Sequence, residues 1–170
     1  MAGGTLQLEE VGTPIGPVQL AAGPAGVSWV RLPGSSLPAS LVVASPAEGS
    51  GSVDPVALAR EAAGQLSAYF AGEVRAFDLP LDLGGVSGFQ RAVLEVAAQI
   101  PFGETASYRE MAIAAGSPGA VRAAGTAMGA NPVPLLIPCH RVIRSDGTAG
   151  LYGGGEETKR WLLEFEQRAA

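Results

Sequence analysis

The sequence has one cysteine, Cys139, and one histidine, His140, in 170 residues. An internal disulfide is therefore impossible, and a zinc site built from cysteine and histidine ligands is excluded by count. Charged residues make up only 16% of the chain and hydrophobic residues 47%, a composition that argues against intrinsic disorder. The apolar runs are too short to span a bilayer. Any unusual chemistry must therefore be concentrated around Cys139 and His140.

The first residues, Met-Ala-Gly-Gly-Thr, lack the basic segment and the apolar core of a signal peptide. We therefore expect a cytoplasmic location, with no membrane partner. At this length the chain has room for one compact domain or two small ones, and we expect a soluble globular protein.

The net charge of −5 is unevenly distributed along the chain. Residues 1–83 contain eight acidic and three basic residues, whereas residues 84–170 contain eight of each. Within residues 105–144 a single acid, Glu110, is outnumbered by Arg109, Arg122, Arg141 and Arg144. This positive stretch could contact phosphate, although a local charge of this size is also ordinary for a protein surface.

The first part of the chain predicts a small sheet with one helix. Segments 17–22 and 27–32 flank a Gly-Pro-Ala-Gly turn and read as a β-hairpin, and residues 41–43 are a candidate third strand. Asp54 can cap a helix that begins at Pro55 and ends at Gly72. The apolar spacing predicts that this helix buries Val56, Ala59, Ala63, Leu66 and Phe70. A stretch rich in glycine, residues 79–88, marks a domain boundary, which we place between residues 83 and 84.

The second part predicts four helices. The first begins at Ser87, where Gln90 completes a capping-box pattern. Its predicted buried stripe is Phe89, Val93, Val96, Ala97 and Ile100. Segments 107–115 and 120–130, separated by Gly-Ser-Pro-Gly, have the outline of a helix-turn-helix. The second of them consists mostly of alanine and glycine. This composition fits either tight packing against a core or close approach of the helix backbone to a groove while the Arg122 side chain projects.

Cys139 follows a segment with three prolines within seven residues, Pro132, Pro134 and Pro138, which predicts a stiff, extended loop. A cysteine is nucleophilic as the thiolate, which a nearby base or cation favours. His140 is adjacent, although neighbours in an extended segment point to opposite faces.

A carboxylate is needed to orient that imidazole. The final helix, residues 156–166, offers Glu164 and Glu166, with Trp161, Leu162 and Phe165 expected to face inward.

These residues resemble the O6-alkylguanine-DNA alkyltransferase family, the methylated-DNA–protein-cysteine methyltransferases. The resemblance covers residues 89–166 and is looser before them. Six ordered segments carry it: Ile100-Pro101-Phe102-Gly103-Glu104, Ser107-Tyr108, Asn131-Pro132, Ile137-Pro138-Cys139-His140-Arg141-Val142, Gly150-Leu151-Tyr152 and Lys159-Arg160-Trp161-Leu162-Leu163. It implies a mixed α/β (α+β) fold, with a small RNase H-like sheet-and-helix domain over residues 1–83. A mainly helical, winged helix-turn-helix-like domain for DNA binding and alkyl acceptance follows over residues 84–170.

The resemblance also implies the activity. The family transfers an alkyl group, typically methyl, from O6-alkylguanine in double-stranded DNA to a cysteine of the protein, irreversibly and once per molecule. The base is first flipped out through the minor groove. We expect O4-alkylthymine as a further substrate, no cofactor, no metal and a monomer.

Residue roles are implied position by position. Cys139 matches the alkyl acceptor, His140 the base that deprotonates it through a water, and Glu166 the carboxylate that orients the histidine. Asn131 matches the residue that ties the helix-turn-helix to the active-site loop. Tyr108 matches the residue that rotates the phosphate of the nucleotide and donates a proton to the purine.

The DNA-binding and pocket positions follow in the same way. Arg122 matches the finger that fills the space left by the flipped base. The other residues matched to the DNA-binding face are Ala120, Ala123, Met128 and again Tyr108. The residues matched to the base pocket are Pro134, Val142, Tyr152 and Gly153, the last of which replaces a hydroxyl residue of some members.

Two other functions remain open at this point. A lesion-binding module would flag damage without repair, but related proteins of that kind lack the cysteine that this chain has. A thiol redox sensor would need only a reactive cysteine beside a histidine.

Overall fold

A computed structural model describes residues 5–35, 53–86 and 88–170. Residue contacts divide the chain into two compact units, Met1–Gly85 and Val86–Ala170. The architecture is mixed α/β, as predicted, with one small antiparallel sheet and five α-helices in the described residues. No helix in this part of the chain is long and apolar enough to cross a membrane.

The first unit contains a three-stranded antiparallel sheet in the order β1-β2-β3, formed by Gln7–Thr13, Gly16–Gly23 and Gly26–Arg31. The β2–β3 hairpin is the one that the sequence predicts. Strand β1 was not predicted, because Val11 is its only buried residue and no apolar alternation is visible. The candidate strand at residues 41–43 lies outside the described residues.

Helix α1, Pro55–Phe70, begins and ends where the sequence predicts. The Asp54 side chain accepts a hydrogen bond from the Val56 amide at 3.0 Å, and Gly72 has a φ of +77° just beyond the helix. The predicted buried stripe was partly wrong, because Val56 is exposed and Ala63 and Phe70 are only half-buried. The buried residues are Leu58, Ala59, Ala62, Leu66 and Tyr69. In an alanine-rich helix both sets satisfy the helical spacing, and packing against the sheet decides between them.

The second unit contains four helices and a short parallel pair of strands. The helices are α2 (Gly88–Ala97), α3 (Tyr108–Ala114), α4 (Val121–Gly129) and α5 (Glu156–Ala169). Strands β4 (Ala106–Ser107) and β5 (Val142–Ile143) pair in parallel. Helix α2 buries Val93, Leu94 and Ala97, whereas the predicted Phe89 and Val96 are half-buried. Ser87, the expected cap of α2, lies outside the described residues.

Helices α3 and α4 form the predicted helix-turn-helix arrangement. Ser107 and Glu110 form a reciprocal capping box at the start of α3. Helix α4 buries Ala124, Ala127 and Met128 and exposes Arg122 and Ala123. The interpretation as core packing is therefore confirmed for one face of α4, whereas the opposite face is exposed and carries few long side chains.

The segment from Asn131 to Arg141 is not extended, contrary to the prediction. Pro134 and Ile137 form a bridge around a tight turn in which Leu135 has a φ of +73°, and Cys139–Arg141 form one turn of 3₁₀ helix. Prolines lack an N–H but keep a carbonyl acceptor, so they suit turns as well as extended chain. The Arg141 amide accordingly donates to the Pro138 carbonyl at 2.9 Å.

Candidate active site

Glu166 is a buried carboxylate, 1% exposed, on the inner face of α5. Its Oε1 lies 2.7 Å from His140 Nε2, and Arg141 donates to both of its oxygens at 2.8 Å. The Gly103 amide adds a hydrogen bond at 3.3 Å. Glu164 is exposed, so the structure selects Glu166 from the two carboxylates that the sequence offered.

Arg141 is the counter-charge of this carboxylate. It is buried, and its Nη1 donates to the Ile100 carbonyl at 2.7 Å. Arg141 therefore does not contribute positive charge to the protein surface, as its position within residues 105–144 had suggested. A buried carboxylate is tolerated only when paired and hydrogen-bonded, and Arg141 supplies both.

His140 is fully buried, and burial lowers its pKa because the imidazolium loses hydration, while Glu166 opposes the shift. Because Nε2 faces a carboxylate, it carries the ring proton of the neutral form. Nδ1 has no hydrogen-bond partner among the described residues. The ring is therefore held with an unprotonated nitrogen available as a proton acceptor.

The thiol of Cys139 is buried as well, 4% exposed. Burial raises its pKa, while a hydrogen bond from Asn131 and the ammonium of Lys159 lower it. Asn131 also donates to the Ile137 carbonyl at 2.9 Å and accepts from the Val133 amide at 3.0 Å. This amide therefore joins the end of the helix-turn-helix to the segment that carries the thiol.

Lys159 is the site residue that sequence reasoning missed. It is fully buried on α5, and its Nζ donates to the Val142 carbonyl at 2.6 Å, to the Tyr108 hydroxyl at 3.2 Å and to the Leu151 carbonyl at 3.4 Å. Burial lowers its pKa to about 8. The signal was its spacing, because positions 159, 162 and 166 share one helical face, and two of the three are charged.

Tyr108 is the first residue of α3 and is half-buried beside Lys159. Burial raises its pKa, with a smaller contribution from Cys139. Gly150, at a φ of +78°, lies against its ring: a Cβ there would come within 3.1 Å of the hydroxyl oxygen. The absence of a side chain at position 150 therefore allows the loop before α5 to approach Tyr108.

The residues predicted to line a base pocket lie in three kinds of environment. Val142 is fully buried and its carbonyl accepts from Lys159, whereas Pro134 and Tyr152 are half-buried. The Tyr152 ring lies edge-on to the His140 ring, with centroids 6.5 Å apart. Gly153 is exposed.

Of the predicted DNA-binding residues, Arg122 and Ala123 are exposed on α4 and Ala120 is half-buried just before it. Met128 differs from them, because its side chain is only 5% exposed and lies in the core rather than on the exposed face of α4. It follows Ala124 by four residues, so the two lie on the same inward face of α4.

The indole and phenyl rings on α5 were predicted to face inward but are only half-buried. Trp161 and Phe165 stack on each other with centroids 5.2 Å apart. Leu162 is fully buried, as predicted.

Comparison with known proteins points to one family. A family model described as the DNA-binding domain of 6-O-methylguanine DNA methyltransferase matches residues 88–168. The methylated-DNA–protein-cysteine methyltransferase of Mycobacterium tuberculosis is 43% identical over 162 residues, covering 94% of this chain and 92% of the relative. That of Methanosarcina acetivorans is 38% identical over 154 residues, covering 91% and 94%.

Solved structures agree. The crystal structure of M. tuberculosis O6-methylguanine methyltransferase has a TM-score of 0.81 and 39% identity, covering 98% of this chain and 95% of the other. The M. tuberculosis OGT in complex with DNA has a TM-score of 0.79 and 40% identity, covering 96% and 94%. The corresponding protein of Pyrococcus kodakaraensis has a TM-score of 0.59 and 27% identity, covering 95% and 99%.

Replacing Glu166 by Gln tests whether its charge holds the site together. The variant leaves Arg141 buried without a counter-charge, so we expect a loss of about 3–5 kcal/mol of folding free energy. Glu164→Gln, on the exposed face of the same helix, should change it by no more than about 0.5 kcal/mol. Urea unfolding of the two variants gives the comparison, and equal stabilities would contradict the account of Glu166.

Proposed function

The chain belongs to the methylated-DNA–protein-cysteine methyltransferase family, and on that premise we propose that Cys139 repairs DNA by accepting alkyl groups from O6-alkylguanine in the duplex. One observation supports Cys139 as the acceptor above all. The only thiol of the chain lies in a buried site with a hydrogen-bonding amide, an ammonium group and a neutral histidine.

The proposed reaction begins with the proton of the thiol. His140 Nδ1 accepts it through a water, and the Cys139 sulfur then attacks the alkyl carbon. A carbon–sulfur bond forms as the bond from that carbon to guanine O6 breaks, and its electron pair stays on the purine. Because the product is a thioether, which water does not readily cleave, each molecule reacts once.

The ammonium group of Lys159 favours the ionised form of the nearby thiol. Arg141 and Glu166 neutralise each other, which leaves the charge of Lys159 without a counter-charge among the buried groups that surround Cys139. A nearby positive charge stabilises a thiolate and lowers its pKa. Lys159 therefore offsets part of the cost of ionising a buried sulfur.

Lys159 also orients Tyr108. A lysine ammonium can only donate, so in their hydrogen bond the tyrosine oxygen is the acceptor. The hydroxyl hydrogen of Tyr108 is then free to point away from Lys159. We propose that it is donated to the purine as negative charge develops on the leaving base.

DNA binding is assigned to the helix-turn-helix of α3 and α4. The guanine O6 is out of reach within a duplex, so the nucleotide must be extruded. The exposed small face of α4 suits close approach to a minor groove, with Arg122 filling the space left in the stack. The M. tuberculosis OGT, solved in complex with DNA, supports duplex DNA as the partner.

Some finer features of the proposal come from family resemblance. These are O4-alkylthymine as a second substrate, a monomeric state, a cytoplasmic location and no cofactor. The descriptions of the first unit as RNase H-like and of the second as a winged helix-turn-helix have the same basis.

Burial of the thiol argues against a redox sensor. Reaction with peroxide requires an accessible thiolate, whereas Cys139 is buried and burial raises its pKa. Repair by alkyl transfer remains the function that the site supports best.

The direct test is mass spectrometry after mixing the protein with a duplex that carries one O6-methylguanine. We expect a single added methyl group, on the peptide that contains Cys139, reaching saturation at one per protein. Cys139→Ala should gain none. Retained binding to the lesion without any mass change would instead indicate a lesion-flagging module.

Arg122→Ala tests the extrusion step. Because the side chain is proposed to act on the stacked duplex, we expect repair of duplex lesions to fall by roughly 10-fold or more. Reaction with the free alkylated base should be much less affected. The control is Arg160→Ala, which removes an exposed cation from α5, outside the helix-turn-helix, and should leave repair of both substrates unchanged. Equal losses of Arg122→Ala on both substrates would show that Arg122 is structural.

A further inference from the structure

Arg144 lies directly beside Tyr108, although the two are far apart in the sequence. Strands β4 and β5 run parallel, with Ala106 paired to Val142 and Ser107 paired to Ile143. The residues that directly follow strands β4 and β5 are Tyr108 and Arg144, respectively. The pairing therefore delivers both to the same end of this small sheet.

The loop before α5 brings the two side chains around one glycine. A Cβ on Gly150 would lie 3.1 Å from the Tyr108 hydroxyl oxygen and 3.6 Å from the Arg144 Cγ. The backbone of Arg144 is held in a turn, since its amide donates to the Thr148 carbonyl and its carbonyl accepts from the Gly147 amide, both at 2.9 Å. The base of the Arg144 side chain is thus fixed next to the tyrosine.

The charge of Arg144 is exposed and available. The buried cations Arg141 and Lys159 are engaged within the site, and Arg91 forms an ion pair with Glu95 at 3.1 Å. The guanidinium of Arg144 makes no ion pair within 4.0 Å among the described residues. Its positive charge lowers the pKa of both Tyr108 and Lys159, which agrees with its position near them. It also contributes to the lowered pKa of Asp146, an exposed carboxyl two residues further along, which forms no ion pair with it within 4.0 Å.

An exposed arginine at this position suits a phosphate group. The guanidinium presents a planar fork of donors that matches phosphate oxygens, and it is weakly hydrated. In the proposed function, a nucleotide extruded toward Cys139 and Tyr108 carries its own phosphate with it, so that the phosphate comes close to the exposed residues around Tyr108. We propose that Arg144 binds the backbone phosphate of the extruded nucleotide, so that this chain holds the target strand from the β5 side as well as from α4. The inference rests on the proposed function.

The test compares Arg144→Gln with Arg91→Gln, which removes the same charge from an exposed ion pair. Binding to duplex DNA is measured by fluorescence anisotropy over a range of salt concentrations, and methyl transfer by single-turnover kinetics. For Arg144→Gln we expect the slope of log affinity against log salt to become shallower by about 1, and repair to fall roughly 10-fold at moderate salt. Arg144→Lys should retain the wild-type salt slope. Arg91→Gln should retain both the wild-type salt slope and the wild-type rate of methyl transfer.

Reaction with free O6-benzylguanine, which has no phosphate, separates the proposal from its alternative. We expect Arg144→Gln to react with it at close to the wild-type rate at neutral pH. A loss on this base equal to the loss on duplex DNA would show that Arg144 acts through Tyr108 and Lys159, and an unchanged salt slope would exclude a phosphate contact. Either result overturns the proposal. Failure of the wild-type protein to accept a methyl group would contradict the proposed function, while the salt slope would still decide the role of Arg144.

Discussion

The pairing of one buried carboxylate, Glu166, with His140 and Arg141 is the interaction on which the rest of the site depends. It joins the final helix to the 3₁₀ turn that carries the thiol, and through Gly103 it also reaches the loop after α2. A carboxylate at this depth is stable only because every donor around it is in place. The same contacts determine which histidine nitrogen holds the proton. Stability of the second unit and the protonation state of its base thus have a common origin.

The charge balance around the thiol follows from that arrangement. The charges of Glu166 and Arg141 cancel, and burial keeps His140 neutral. Lys159 then provides one positive charge, which is hydrogen-bonded to carbonyl and hydroxyl oxygens. Transfer of the Cys139 proton to His140 leaves the total charge of this group unchanged, and it creates the thiolate near Lys159 and the imidazolium beside Glu166. The site therefore combines a thiol protected by burial with surroundings that favour the thiolate once a base removes the proton. Arg144 extends the same region toward solvent, where a negatively charged strand would be met.

Much of this could be predicted from the sequence, because it depends on local rules. Asp54 with Pro55, Ser107 with Glu110, and the Gly-Pro-Ala-Gly turn specify helix starts and a hairpin through contacts within a few residues. The features that could not be predicted depend on packing between segments that are distant in the sequence. The edge strand β1 has no apolar alternation, and the buried face of α1 is chosen by the sheet. The proline-rich segment turns because Asn131 and backbone carbonyls bind it. Lys159 is recognised as part of the site only when Tyr108 and Val142, distant in sequence, are brought to it.

The central claim is that the contact with Glu166 leaves Nδ1 of His140 as an unprotonated proton acceptor. Nitrogen-15 NMR tests it directly, because His140 is the only histidine in the chain. The account predicts a neutral ring with its proton on Nε2 at neutral pH. It also predicts a pKa below the ordinary 6.5, since burial disfavours the imidazolium. The unfolded chain then binds a proton before the folded one, so stability is retained above pH 6.5 and falls as the pH drops toward the folded-state pKa. A proton on Nδ1, or an imidazolium at pH 7, would contradict the account.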